Sequence, residues 1–199
     1  GSRVVCRFNG GSQAAHTVNR AGYRHVFNTM SSGSLVGADT HLSNQFIVNP
    51  YVLFDELVTM SKNWKLPRVY CHPSARVTTI FDMAINNILE MSRGDGRHGS
   101  CGLGINETVV RCYESKYKVT VADLYNKDTL VHKLELIKNE WVPHRLCQLG
   151  LSHIVEKYHN CTNHILLNDD FQFHAEQLRK ICNHVLPVST KLDHLVEDT

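Results

Sequence analysis

The 199 residues, of which 42% are hydrophobic and 20% charged, have the composition of a globular chain that can bury a core. The formal net charge of +2 argues against nucleic acid or a membrane surface as the main partner, and no apolar run reaches the length of a membrane span. The seven cysteines form no C-x-x-C pair, which disfavours zinc and favours reduced thiols in the cytoplasm. We expect one α/β domain over residues 1–199, with Gly1-Ser2 as a tag remnant.

In chain order, the first half of the sequence predicts short strands around one helix. Arg3–Phe8 is β-branched and leads into the turn signal Asn9-Gly10-Gly11. Further strands are predicted at Tyr23–Phe27, Gln45–Val48 and Arg68–Cys71. Asn49 is a predicted N-cap, with Pro50 as the first residue of a helix that reaches about Trp64.

The second half is predicted to be mainly helical. Amphipathic spacing predicts a helix over Thr79–Met91, and further helices are predicted at Leu130–Trp141 and Phe171–Leu186. A strand is predicted at Lys118–Ala122, and no closing strand is expected after the last helix. Strands that alternate with helices indicate an α/β fold, with a mostly parallel central sheet flanked by helices.

Two segments carry residues suited to binding phosphate. In the first, the strand ends at Gly10-Gly11, where free backbone N–H groups can form an anion-binding concavity next to His16 and Thr17. Taken alone, this segment is weak evidence, since a hairpin turn with a chance histidine fits it better and no Gly-Lys-Ser/Thr of a Walker A motif follows. The second is the glycine-rich stretch 93–104, which is either a loop that closes on a phosphate or a surface connection.

Six motifs in order resemble those of the adenylosuccinate synthetase family. The segment Arg7–Val18 resembles the family's Arg-Phe-x-Gly-Gly-x-Asn-Ala-Gly-His-Thr-Val, and Gly99–Ile105 resembles its Gly-Thr-Thr-x-x-Gly-Ile-Gly loop. The other matches are His25-Val26-Phe27 with Ser32-Gly33, Val48-Asn49-Pro50, Ser74-Ala75 with Asp82 and Glu90, and Val121–Leu124. The resemblance covers about Arg3 to Leu124, and more faintly the rest, and it implies a P-loop-like fold of which this chain is the amino-terminal half.

The resemblance implies a reaction and a set of site residues. GTP, or ATP, phosphorylates the O6 oxygen of a purine nucleoside monophosphate in the presence of Mg²⁺, and L-aspartate then displaces the phosphate. His16 would donate to the transferring phosphoryl group, and the backbone of Ala15 would contact the magnesium ion. The residues expected around the nucleotide are Gly10, Gly11, Gln13, Ala14, Thr17, Ser100, Cys101 and Gly102.

Departures from the family pattern suggest that the chain resembles a variant branch of the family and that it is an incomplete catalyst. The Gly-Asp-Glu-Gly-Lys-Gly loop that holds the general base and the later Glu-Gly-Ala-Gln-Gly segment have no match in the chain. The segments Gln13–Thr17 and Arg97–Thr108 resemble variant synthetases of phages and some bacteria. One group of these acts on dGMP to make a 2-aminoadenylosuccinate, so dGMP stands beside IMP as a possible substrate. The family is dimeric, so we expect a homodimer or a completing chain.

Two other functions are considered. The chain can be a catalytically silent relative that binds a nucleotide or a partner protein and regulates or completes another chain. A histidine-based metal hydrolase is disfavoured, because His25, His41, His72 and His98 have neither i,i+4 pairing nor a carboxylate at ligand spacing.

Overall fold

The computed structural model describes residues 3–20, 22–153 and 170–188. Its strands are β1 (Val4–Arg7), β2 (His16–Arg20), β3 (Tyr23–Phe27), β4 (Asp39–Leu42), β5 (Val69–Cys71) and β6 (Val185–Pro187). Its α-helices are α1 (Pro50–Ser61), α2 (Ile80–Ser92), α3 (Ile105–Arg111), α4 (Lys127–Leu136), α5 (Val142–Gln148) and α6 (Phe171–Arg179). The predicted α/β class is confirmed.

The central sheet has the order β1-β4-β5-β6, and each of its three pairings is parallel. The strands therefore end at one common edge, at Arg7, Leu42, Cys71 and Pro187. Ligands of open parallel sheets bind outside this carboxyl edge. The segment with Gly10 and Gly11 follows β1 directly, so it lies at the edge where a site is expected.

A row of backbone pairings extends beyond the regular sheet. Single bridges join Gly11 to Ile47, Val48 to Val77, and Arg76 to Thr120. The strands predicted at Gln45–Val48 and Lys118–Ala122 were wrong as regular strands, because these residues make isolated bridges instead. Phe46, Ile47, Val48, Val119 and Val121 are nevertheless buried, which explains the strand-like pattern.

The helices begin where the sequence provides caps. The Asn49 side chain accepts hydrogen bonds from the backbone N–H groups of Tyr51 and Val52, at 3.1 and 3.3 Å, so the predicted N-cap is confirmed. Helix α1 ends at Ser61, three residues before the predicted Trp64. Helix α2 begins after Thr79, whose N–H and hydroxyl both donate to Asp82. Apolar faces of both helices pack into one core with the sheet.

Of the two later helix predictions, the first was too short and the second too long. The helix predicted at Leu130–Trp141 begins earlier, as α4, and passes through a π-helical turn at Ile137–Trp141 into α5. The helix predicted at Phe171–Leu186 ends at Arg179, and one 3₁₀ turn at Lys180–Asn183 leads into β6. The expectation of no closing strand was therefore wrong. Pro187 lacks an N–H donor and fits an outer strand such as β6, where one side needs no ladder bonds.

Two strands escaped prediction because their residues are polar. Strand β4 reads Asp-Thr-His-Leu, yet all four residues are buried. Asp39 accepts from the Nε and backbone N–H of Arg68 at 2.9 and 2.8 Å, and the Thr40 hydroxyl donates to that of Ser31. Strand β2 begins at His16 and pairs antiparallel with β3 in a separate two-stranded sheet.

Candidate functional site

The bend after β1 depends on two glycines. Gly10 has φ of +73°, a conformation that side chains other than glycine rarely adopt. Gly11 is buried, and a Cβ there would lie 2.7 Å from Cδ1 of Ile105 and 3.0 Å from the carbonyl oxygen of Ile47. A larger residue at position 11 would therefore have to displace the Ile105 side chain and would press on the carbonyl oxygen of Ile47.

Arg7 fixes the two ends of the segment that follows the bend. Its guanidinium donates to the carbonyl oxygens of Ala14 at 3.0 Å and Asn28 at 2.6 Å, and it lies over the ring of Phe46 at 5.0 Å. Burial lowers the pKa of Arg7, whereas the carboxylate of Glu56 opposes that shift. One side chain thus ties the bend to the residue that follows β3, at the base of the β2–β3 hairpin.

Two further contacts anchor the hairpin. The buried hydroxyls of Ser12 and Thr29 are 2.7 Å apart. The carboxylate of Glu56 on α1 accepts from the backbone N–H groups of Asn28, Thr29 and Met30 at 3.1, 2.7 and 3.3 Å. Burial raises the pKa of Glu56 despite these three donors. The bend and the hairpin are therefore held in a fixed relation to α1.

His16 lies at the start of β2, directly after this anchored bend. Its ring is partly buried and stacks on the ring of Phe27, with centroids 5.5 Å apart and an interplanar angle of 17°. Burial, followed by the charge of Arg7, lowers the pKa of His16. A neutral imidazole carries one N–H donor and one acceptor nitrogen at neutral pH, so it can hydrogen-bond to a phosphoryl oxygen.

The glycine-rich segment 93–104 is an exposed loop against one face of α2. It is irregular apart from one 3₁₀ turn at Gly94–Gly96, as predicted. The Ser100 hydroxyl donates to Oδ1 of Asn86 at 2.9 Å, and a Cβ at Gly102 would lie 2.7 Å from Oδ1 of Asn87. Glu90, one turn further along α2, accepts from backbone N–H groups of the loop.

Contacts at the end of this loop bring it next to the bend. A Cβ at Gly104, which has φ of +67°, would lie 2.7 Å from the backbone of Asp82 and Met83. The next residue, Ile105, is the one that touches Gly11. Because Gly11 and Gly104 have no side chains, the glycine-rich loop, the start of α2 and the bend after β1 can meet.

A fully buried ion pair supports this junction. The Nε and Nη2 atoms of Arg111 each lie 2.8 Å from a carboxylate oxygen of Asp82, and neither side chain is exposed. Arg111 also donates to the carbonyl oxygens of Val77 and Tyr117, at 2.8 and 2.5 Å. Burial is the largest single influence on the pKa of Arg111 and lowers it, but the charge and hydrogen bonds of Asp82, with a smaller contribution from Cys112, together shift this pKa upward.

The predicted site residues occupy two neighbouring surfaces. Gly11 is buried beneath the bend and Gly10 is partly buried. Exposed at or just beyond the bend are Gln13, Ala14, Ala15 and Thr17. In the loop, Ser100 and Cys101 are exposed and Gly102 is partly buried. The roles assigned to these residues remain predictions.

Sequence reasoning missed the residues that hold the site together. Arg7, Ser12, Asn86 and Arg111 bind no ligand in the predictions, yet each fixes one of the segments described above. For two of them, Arg7 and Ser12, the sequence offered a signal, because both lie close to Gly10 and Gly11. A separate cleft of 410 Å³ on the far side of the hairpin, lined by residues including His25, Asn28 and Glu56, contains none of the predicted residues.

Within residues 3–20, 22–153 and 170–188, no helix is long and apolar enough to cross a bilayer. The same residues contain no group of three or more His, Cys, Asp or Glu side chains placed to hold a metal ion. The six cysteines in the described part of the chain are free thiols.

A parallel sheet flanked by helices, with a glycine bend at its carboxyl edge, defines an open-sheet α/β protein, a class in which ligands bind at that edge. The profile of the adenylosuccinate synthetase family matches residues 1–192, and the chain belongs to this family. Adenylosuccinate synthetase of Haloarcula marismortui is 34% identical over 139 residues, covering 67% of this chain and 30% of that protein. The Tropheryma whipplei protein of the same name is 32% identical over 136 residues, 66% of this chain and 31% of its own length.

Comparison with solved structures agrees on the fold. The structure of fully ligated adenylosuccinate synthetase from Plasmodium falciparum aligns with a TM-score of 0.67 at 20% identity. The alignment covers 99% of this chain and 43% of that one. The chain thus spans about a third of the length of the curated relatives described here and less than half of this structural relative.

Proposed function

We propose that this chain forms the amino-terminal nucleotide-binding part of a ligase that joins L-aspartate to IMP or dGMP, with GTP or ATP as the phosphoryl donor. The observation that carries the proposal is the contact between Gly11 and Ile105. It supports a single phosphate site between the bend after β1 and the glycine-rich loop, two segments separated by about 80 residues of sequence. Membership of the adenylosuccinate synthetase family supports the reaction class.

His16 is proposed to donate a hydrogen bond to the phosphoryl group during its transfer to the purine oxygen. Three observations support this role: the ring is packed against Phe27, its pKa is lowered, and it follows a bend anchored by Arg7. Phosphoryl transfer depends mainly on positioning and on stabilisation of charge, so a donor held in place is what the step requires.

The remaining predicted residues are proposed to surround the nucleotide. On the bend, Gln13 and Thr17 would offer exposed polar side chains, Gly10 and Gly11 would form the bend beneath the nucleotide, and the exposed Ala14 would lie against it. On the loop, the corresponding groups are the Ser100 hydroxyl, the Cys101 thiol and the backbone of Gly102. Both sets contain small residues, which allow a phosphate to approach the backbone closely.

The oxygen donors of the bend could hold magnesium only if the ion were also bound by the nucleotide; they could not form a complete site by themselves. Mg²⁺ prefers oxygen ligands and usually retains waters and phosphate oxygens instead of occupying a cage of protein side chains. The bend has no carboxylate, so the backbone at Ala15 would be a single protein contact, with the remaining ligands from nucleotide and water. When bound, the ion would neutralise charge on the phosphates.

Catalysis by this chain alone is expected to be negligible. The loop that holds the family's general base has no match in these residues. The proposal also includes a second chain in the active assembly, either an identical copy or a completing one; an identical copy would lack the same loop, so only a completing chain could supply the base. It also includes a cytoplasmic location, in keeping with the free thiols.

The test measures binding of IMP and dGMP to the purified chain by isothermal titration calorimetry, with inosine as the ligand that lacks phosphate. We expect weak binding that requires the phosphate group. Gln13→Ala should weaken this binding about tenfold, the effect of losing roughly 1.4 kcal/mol. The matched control is Gln172→Ala, which removes an exposed glutamine on α6. Equal affinity for inosine, or no binding of either nucleotide, would contradict the proposal.

The activity assay distinguishes the ligase from the silent alternative. In the longest product of the native gene, GTP- and aspartate-dependent phosphate release should be present and should fall nearly to zero in His16→Asn. Nucleotide binding with no phosphate release under any condition would favour the catalytically silent relative. Steady release by the isolated chain would show that the missing base is supplied within these residues.

A further inference from the structure

The carboxylate of Glu90 already occupies backbone donors of the glycine-rich loop. Its Oε2 atom accepts from the N–H groups of His98 at 3.1 Å and Ser100 at 3.3 Å, and its other oxygen is paired with the guanidinium of Arg93. Glu90 lies in the last turn of α2 and is only 9% exposed. A single carboxylate therefore holds both ends of the segment His98–Ser100.

The arrangement of these donors is that of an anion-binding nest. Gly99, between the two donating residues, has φ of +72°, which turns successive N–H groups toward one point. The Ser100 hydroxyl is engaged as well, because it donates to Asn86 and accepts from the N–H of Gly102 at 3.3 Å. Of the loop groups expected to bind the nucleotide, the Ser100 hydroxyl and the Gly102 N–H are thus engaged with Asn86 and with each other, while Glu90 holds the adjoining N–H groups of His98 and Ser100.

We propose that Glu90 is an internal anion that holds the loop in a closed-off form and must leave the His98 and Ser100 N–H groups before a nucleotide phosphate can bind them. This inference rests on the proposed function, in which the loop contributes to the phosphate site. A carboxylate and a phosphate cannot share the same two N–H groups, and their like charges repel at that distance. Phosphate binding and the contacts of Glu90 therefore exclude each other.

Glu90→Gln tests the contact without any ligand. The neutral amide is a weaker acceptor than the carboxylate and does not attract Arg93, so the loop should open more often. Solvent exchange of the amide protons, followed by NMR, should become faster at His98 and Ser100, which lose their charged acceptor. The N–H of Leu53 in α1, bonded to the carbonyl oxygen of Asn49 at 3.0 Å, serves as the internal control and should exchange at an unchanged rate.

Titration with inorganic phosphate and IMP tests the competition. If the open form is about one tenth of the population in the wild type, removal of the competing carboxylate should tighten binding about tenfold. Glu114→Gln removes an exposed carboxylate after α3 and should leave the affinity unchanged. Glu90→Asp, which keeps the charge but shortens the side chain, should change the affinity in the same direction as Glu90→Gln by a smaller factor, and it covers the case in which Glu90→Gln does not fold.

The two measurements separate this inference from the proposed function. Faster exchange of the His98 and Ser100 amides together with tighter phosphate and IMP binding supports the role of Glu90. Unchanged exchange, or weaker binding of both ligands in the Glu90 variants, overturns it even if the wild type binds IMP. Faster exchange with no binding of IMP to any variant supports the loop contact and overturns the phosphate site, and with it the competition.

Discussion

Arg111 and Asp82 allow a quantitative test of the junction beneath the site. The Arg111→Met substitution removes two hydrogen bonds of 2.8 Å to Asp82 and two to backbone carbonyls, in a place where neither side chain has exposed surface. The Asp82 charge would remain buried with only Thr79 as a donor. Breaking a buried ion pair in this way typically costs about 3–5 kcal/mol of unfolding free energy.

This loss should be visible as a shift in thermal stability. For a domain of this size, each kcal/mol lowers the melting temperature by about 2–4 °C, so Arg111→Met should lower it by about 6–20 °C. Urea unfolding followed by the fluorescence of Trp64 and Trp141 gives the free energy directly. Lys127→Met, which breaks the exposed pair with Glu176, should cost less than about 1 kcal/mol. If both substitutions cost the same, the buried pair does not stabilise the junction.

Two further predictions concern the site histidine and the first helix cap. Because the folded state lowers the pKa of His16, its contribution to stability is present above the unfolded value of about 6.5 and is lost as pH falls through the folded pKa. The ring protons of His16 should titrate below pH 6.5 by NMR, and titration at or above pH 6.5 would contradict this. In His16→Gln, the free energy of unfolding should decrease less as the pH is lowered than it does in the wild type. Asn49→Ala removes the acceptor of two backbone N–H groups and should cost about 1–2 kcal/mol by thermal unfolding, whereas Asn49→Asp should retain most of the stability. Equal losses in the two Asn49 variants would show that the cap itself is not responsible.

The elements that could be predicted were those in which the spacing of apolar residues matches the side of the strand or helix that is buried. β1, β3 and β5 lie within predicted strands, and α2 lies at its predicted position, because apolar residues alternate or recur with the period of the element. Asn49 followed by Pro50 marked the start of α1 for a local reason, the need to satisfy free N–H groups.

What could not be predicted depends on partners distant in sequence. β4 is buried although three of its four residues are polar, because Asp39 and Thr40 find partners at Arg68 and Ser31. The candidate site shows the same limit. The glycines at 10 and 11 were visible as a bend, but the contact of Gly11 with Ile105 arises only when α3 packs against α2 beside that bend.

The β2–β3 hairpin is fastened at its base and open at its tip. Arg7, Ser12 and Glu56 all hold the base, whereas a Cβ at Gly22, near the turn, would meet no atom within 4 Å. The turn is therefore a suitable place for an inserted epitope or fluorophore. A reporter grafted there would report on tilting of the hairpin while the glycine bend kept its geometry.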